Sequence, residues 1–158
     1  MKWIALGIWL VVCFVVAGIG GRWTAEEVKG WYRTLVRPSI APPSWIFGPV
    51  WTLLYALMAT AAWLVWLAPP SAARSLALDI FGVQLALNLA WSWIFFRKHR
   101  MGAALAEIVL LWISIGAATL AFGQVTPLAA GLMAPYWAWV SFATLLNAAY
   151  WRANPEYS

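Results

Sequence analysis

Charge is what this chain lacks most. Of its 158 residues only 9% are Asp, Glu, Lys or Arg, while 65% are hydrophobic. An ordinary soluble domain carries about 25% charged and 45–50% apolar residues. So few charges cannot cover the surface of a water-soluble monomer of 17.5 kDa, and so apolar a chain is not disordered. The single cysteine, Cys13, excludes a disulfide framework and a Cys-based metal site. The single histidine, His99, excludes a His-rich metal centre, and its place in a basic cluster reads as a solvated loop position. No lysine falls inside an apolar run, so no Schiff base forms in a span. No Cys/His pair, Ser-His-Asp set or His-Glu-x-x-His spacing is present, which removes conventional hydrolases and metalloenzymes, and no metal site is expected.

What remains is an all-α integral membrane protein. A bilayer core about 30 Å thick takes about 20 apolar residues at 1.5 Å each. The runs predict a single transmembrane domain over 1–158 with helices at about 3–21, 46–68, 76–96, 101–122 and 127–151. The first run is long and is followed at once by Arg22, so it reads as a retained helix rather than a cleaved leader. Pro69-Pro70-Ser71, Arg97-Lys98-His99-Arg100 and Gly123–Pro127 separate the others. Residues 22–45 form a long first loop rich in aromatics and proline, an ordered lid rather than a tether. Thr24-Ala25-Glu26-Glu27 resembles an N-cap followed by acids, and predicts a short helix running to Leu35.

The net charge of +5 comes from short clusters between apolar runs, with no basic helix, so nucleic acid is not an expected partner. Eight Lys and Arg (Arg22, Lys29, Arg33, Arg37, Arg97, Lys98, Arg100, Arg152) fall on the side of the first loop, third loop and C-terminal tail, against Lys2 and Arg74 opposite. That asymmetry places the N-terminus outside and the C-terminus in the cytoplasm. Asp79 and Glu107 are the only acids in the spans, each near a helix end, with Arg74 and Arg100 as sequence-near partners.

Tryptophan is in excess, with 14 residues. Trp3, Trp23 and Trp151 fit belts at the membrane interfaces, whereas indoles in mid-span are costly without a partner for the N–H. Trp51, Thr52 and Tyr55 cluster on one face of the second helix. Asn88 in the third stands between Gln84 and Trp91-Ser92, and Tyr136, Trp137, Trp139, Ser141 and Asn147 enrich the fifth, which Pro135 should kink. Asn88 and Asn147 serve either as bonds between helices or as the polar groups of a cavity. With an aromatic lid, the second reading describes a pocket for a large, flat, apolar ligand. Gly82, Ala86 and Ala90 make a small-residue stripe for close packing, inside the bundle or in a homodimer. Leu146…Tyr150-Trp151-Arg152 fits both a loose sterol pattern and an interfacial anchor.

Taken together, Trp31-Tyr32 with Arg37-Pro38, Pro42-Pro43-Ser44-Trp45, Trp51-Thr52-Leu53-Leu54-Tyr55, Gln84–Asn88 with Trp91, Phe95-Phe96, Pro135-Tyr136 with Trp139, and Phe142–Asn147 resemble the TspO/translocator protein family. These are the tryptophan-rich sensory proteins or peripheral benzodiazepine receptors, and the likeness covers about Trp31 to Arg152. Ala148 follows Asn147 where the family carries an aromatic, with Tyr150 two positions on. The resemblance implies five transmembrane helices, a pocket closed by the first loop, a homodimer, a bacterial cell-membrane location, and protoporphyrin-type tetrapyrroles as ligands. Some members also bind cholesterol or benzodiazepine-type compounds. It implies a ligand set of Trp31, Tyr32, Pro42, Trp51, Tyr55, Asn88, Trp91, Trp139, Ala143 and Asn147. Should light-dependent porphyrin degradation belong to the chain, Trp51 and Trp139 are the implied catalytic pair. Three functions follow as expectations: a porphyrin receptor or sensor, a light-dependent degrading enzyme, and a tetrapyrrole or sterol transporter. No cofactor is required. With no axial histidine in the spans a metal-free porphyrin is the better ligand, its propionates reaching toward Arg or Lys on the lid side.

Overall fold

The computed structural model describes all 158 residues as a bundle of five long helices without strands. These are α1 (Lys2–Lys29), α2 (Phe47–Leu67), α3 (Ala72–Ser92), α4 (Met101–Val125) and α5 (Pro127–Ala153). All five are long and apolar enough to cross a membrane. Large apolar side chains such as Leu53, Leu110, Leu120 and Leu145 point outward, as a lipid-facing surface requires. With no hydrophobic drive between helices in lipid, cohesion rests on close packing and interhelical hydrogen bonds.

The packing is uneven. α4 and α5 form an antiparallel hairpin about Thr126, and α3 lies against α4. Gly116 sits so close to Trp137 that an added Cβ would come within 2.7 Å of its ring, and one added at Gly102 would come within 3.0 Å of the Trp151 ring. Phe81 stacks on Phe122 at 5.5 Å in the centre of the core. α5 runs on through Pro135 as one helix. Its first residue, Pro127, occupies the position where a missing N–H costs nothing.

Three boundaries differ from the sequence expectation. α1 does not stop near residue 21 but continues to Lys29, and no separate helix begins at Thr24. The Thr24 hydroxyl bonds back to the Gly20 carbonyl at 2.9 Å, a mid-helix arrangement rather than a cap. Only a 3-10 turn, Trp31–Thr34, follows before the chain extends at Leu35. α3 ends in a π-helical turn, Trp93–Arg97, in which the Lys98 N–H reaches the Trp93 carbonyl at 3.0 Å. The extra residue per turn leaves Phe95 and Phe96 both buried.

The Gly82–Ala86–Ala90 stripe is not used inside the bundle. Gly82 and Ala86 are exposed, and a Cβ on Gly82 would meet nothing within 4 Å. The expected acid–base pairs are also absent. Arg74 lies over the Trp66 ring at 4.5 Å instead of reaching Asp79, which stays exposed. Arg100 donates to the Ser158 carbonyl at 3.3 Å, leaving Glu107 buried with neither carboxylate oxygen bonded.

Candidate ligand-binding site

A cavity of about 620 Å³ opens among α1, α2, α5 and the last turns of α3, toward the end of the bundle that carries the lid. Its polar frame is a run of buried hydrogen bonds joining three helices. The Tyr55 hydroxyl of α2 donates to Asn88 Oδ1 of α3 at 3.0 Å, and Asn88 Nδ2 donates to the Tyr136 hydroxyl of α5 at 2.6 Å. Tyr136 in turn donates to Gln84 Oε1 at 2.8 Å. Nearer the lid, Trp91 Nε1 donates to Asn147 Oδ1 at 3.0 Å, and Asn147 Nδ2 to the Met101 carbonyl at 2.9 Å. Both asparagines therefore bond between helices and line the cavity at once. In a dry interior each such bond spares a polar group a penalty of about 1–3 kcal/mol, so the frame fixes how α2, α3 and α5 stand around the space.

The remaining wall is aromatic. Trp51 lies 5.8 Å from Tyr55 and 6.2 Å from Tyr136, while Trp139 packs between Phe47 at 6.1 Å and Phe142 at 5.5 Å. Neither indole N–H of Trp51 and Trp139 is bonded within the protein, unlike that of Trp91. Tyr32 closes the lid side, its ring 5.1 Å from Tyr150. Burial, reinforced by the neighbouring Tyr150 hydroxyl, pushes the Tyr32 phenol far above its ordinary value, so it remains a neutral hydrogen-bonding group.

Of the ten residues expected to bind ligand, Tyr32, Trp51, Tyr55, Asn88, Trp91, Trp139, Ala143 and Asn147 line this cavity. Trp31 and Pro42 do not. Trp31 turns the other way, stacks on His99 at 3.9 Å between ring centres, and meets Phe95 and Tyr157 edge-on. Pro42 offers its carbonyl to Arg37 at 3.0 Å and so shapes the lid from outside.

His99 keeps its loop position and is 34% exposed, but it is tied rather than free. At φ 53 its backbone is left-handed, which aims the ring at Trp31 and brings Nε2 to 3.0 Å from Glu27 Oε2. The C-terminal residues complete the clasp. Asn154 accepts from the Val36 N–H at 2.8 Å and donates to the Val36 carbonyl at 3.0 Å, while the Tyr157 carbonyl accepts from the first N–H groups of α4. Leu146 and Tyr150 of the loose sterol pattern face inward to the cavity, and Trp151 covers Gly102.

Sequence reasoning missed the wall supplied by α1. Phe14, Ala17, Gly18, Gly21, Thr24, Ala25 and Val28 recur at helical spacing along one side of it and line the cavity. The small residues Ala17, Gly18, Gly21, Thr24 and Ala25 were the available signal, cut short by ending the helix at residue 21.

Residues 9–152 match the family model described as the TspO/MBR family. The chain belongs to this family. Among curated relatives of this TspO/MBR protein, the human Translocator protein is 43% identical over 144 residues, covering 90% of this chain and 83% of the relative. The Tryptophan-rich protein TspO of Chlorobaculum tepidum is 39% identical over 153 residues, covering 96% and 97%. The Tryptophan-rich sensory protein of Cereibacter sphaeroides is 36% identical over 154 residues, covering 98% and 94%. Membership and the five membrane-length helices agree on an integral membrane protein of the TspO/MBR type.

Proposed function

We propose that this protein is a membrane receptor that binds a protoporphyrin-type tetrapyrrole in the lidded cavity, limiting or signalling free porphyrin. The observation that carries the reading is the cavity itself. It has room for one large planar ligand, walls of indole, phenol and phenyl rings for stacking, and a few fixed polar groups. No histidine lines it, which favours a metal-free ring held by its faces. The excess of Lys and Arg in the first loop, third loop and C-terminal tail favours a lid on the cytoplasmic side. The Gly82–Ala86–Ala90 stripe, exposed at Gly82 and Ala86 and half-buried at Ala90, is the surface on which a second copy would pack.

Titrating the purified protein with protoporphyrin in the dark, with indole fluorescence as the signal, tests the reading. Saturable quenching near one ligand per chain, weakened at least several-fold in the Trp51→Phe/Trp139→Phe double variant, is the expected result. Linear quenching that is equal in both proteins would mean partition into detergent and would sink it. A second reading, light-dependent breakdown of the bound porphyrin, is favoured by the two unbonded indoles on the wall. It requires illuminated loss of porphyrin that scales with protein and disappears in either single variant. A transporter reading requires instead protein-dependent porphyrin flux across sealed vesicles in darkness.

A further inference from the structure

The cavity wall carries one charged side chain, and that charge is unpaired. Lys29, the last residue of α1, lines the lid-end rim, is exposed, and takes part in no salt bridge or hydrogen bond. The acids beside it in sequence are engaged elsewhere. Glu26 receives both Arg22 and Arg97 at 3.0 Å, and Glu27 receives His99 at 3.0 Å. The other lid-side cations are turned from the cavity: Arg37 points to the carbonyls of Ala41 and Pro42, and Arg100 to that of Ser158. No carboxylate lines the cavity. An anion at the rim therefore meets one free ammonium, with no local acid competing for it. Deeper in the wall only neutral polar groups occur.

From this placement we propose that Lys29 is the anion anchor of the cavity, selecting flat apolar ligands that bear a carboxylate at one edge over neutral ligands of the same shape. The inference rests on the reading of the cavity given above and narrows it. The ring system lies among Trp51, Trp139 and Tyr55, while the carboxylate stays at the lid end, where water reaches it and its desolvation cost is small. Only the charged edge distinguishes this ligand from its ester, so Lys29 sets orientation and choice rather than bulk affinity.

Protoporphyrin and its dimethyl ester, titrated in the dark into detergent-purified protein, separate the two ideas. Wild type is compared with Lys29→Gln, Lys29→Glu and Lys29→Arg, and with Arg33→Gln as a lid-side charge outside the cavity. For the diacid, Lys29→Gln should weaken binding about five- to tenfold, the scale of one hydrogen bond at a water-exposed rim. Lys29→Glu should weaken it further, and Lys29→Arg should restore it to within about twofold of wild type. The ester should bind all five proteins alike, and Arg33→Gln should match wild type with both ligands. Saturable binding of both ligands with no response to Lys29 overturns the anchor and leaves the porphyrin cavity standing, as does an equal loss for acid and ester. Failure of both ligands to saturate wild type overturns the cavity reading and the anchor together.

Discussion

α1 and α4 are both apolar helices of membrane-spanning length, and they do opposite jobs. α4 has ten buried residues, from Met101 to Phe122, and contributes none of the cavity wall. α1, three residues longer, buries only Cys13 and Gly20, yet supplies nine of the 27 residues around the cavity. α4 is gripped on both sides by α3 and α5. α1 packs along α2, with Trp3 stacked on Trp63 at 5.6 Å, and meets α3 and its π-helical turn at a few points: Trp9 edge-on to Phe81 at 5.8 Å, Trp23 to Trp93 at 5.1 Å, and Gly20 close against Ser92. The bundle thus divides its cohesion from its binding surface. Substitutions on the first helix should move affinity, and substitutions at the α4–α5 seam should move stability.

The strongest test of that division is a matched pair of glycines. Gly116→Val drives a branched side chain into the Trp137 ring and should cost about 3 kcal/mol, lowering the thermal midpoint of the purified protein. Gly18→Val on α1 meets nothing within 4 Å, should leave that midpoint unchanged, and should instead reduce porphyrin affinity by filling the cavity. Equal midpoints for the two variants would end the distinction. Next in size, Tyr136→Phe strips the hydroxyl shared by Asn88 and Gln84 and should destabilise by about 1–2 kcal/mol. Chemical unfolding in detergent would show this, and an unchanged midpoint would mean the frame is ornamental. The smallest effect belongs to the lid. His99→Ala removes the contact with Glu27 and the stack on Trp31, a partly exposed pair worth about 0.5–1 kcal/mol. It should leave global unfolding nearly unchanged while speeding proteolytic cleavage within residues 31–43. Equal cleavage rates would show that the clasp does not hold the lid.

The five spans were legible because the run of apolar residues needed to cross a bilayer is a length rule, and charged or Pro-rich breaks mark it out. Eight of the ten expected ligand residues line the cavity, because they stand in motifs on the helices themselves, where Tyr55, Asn88 and Asn147 have polar atoms that can bond only toward the bundle interior. Trp31 and Pro42 sat in matching motifs too, but motif membership does not tell which way a loop side chain turns. For Trp31 that direction is set by His99, 68 residues distant in sequence. The end of α1 was misplaced because Arg22 closes the apolar run without ending the helix. Glu26 accepts from Arg22 one turn later, so charge there sustains helical structure instead of breaking it.

The lone thiol noted at the outset lies on the cavity-lining helix α1, wholly enclosed and turned inward with Tyr55. A membrane-permeant alkylating reagent reaches it only while α1 stands away from its neighbours. In the limit where the helix closes faster than the reagent reacts, the rate of modification measures how much of the time the wall is open. The sequence therefore carries its own clock, a single sulfur whose protection counts the partings of α1 from α2 and α3.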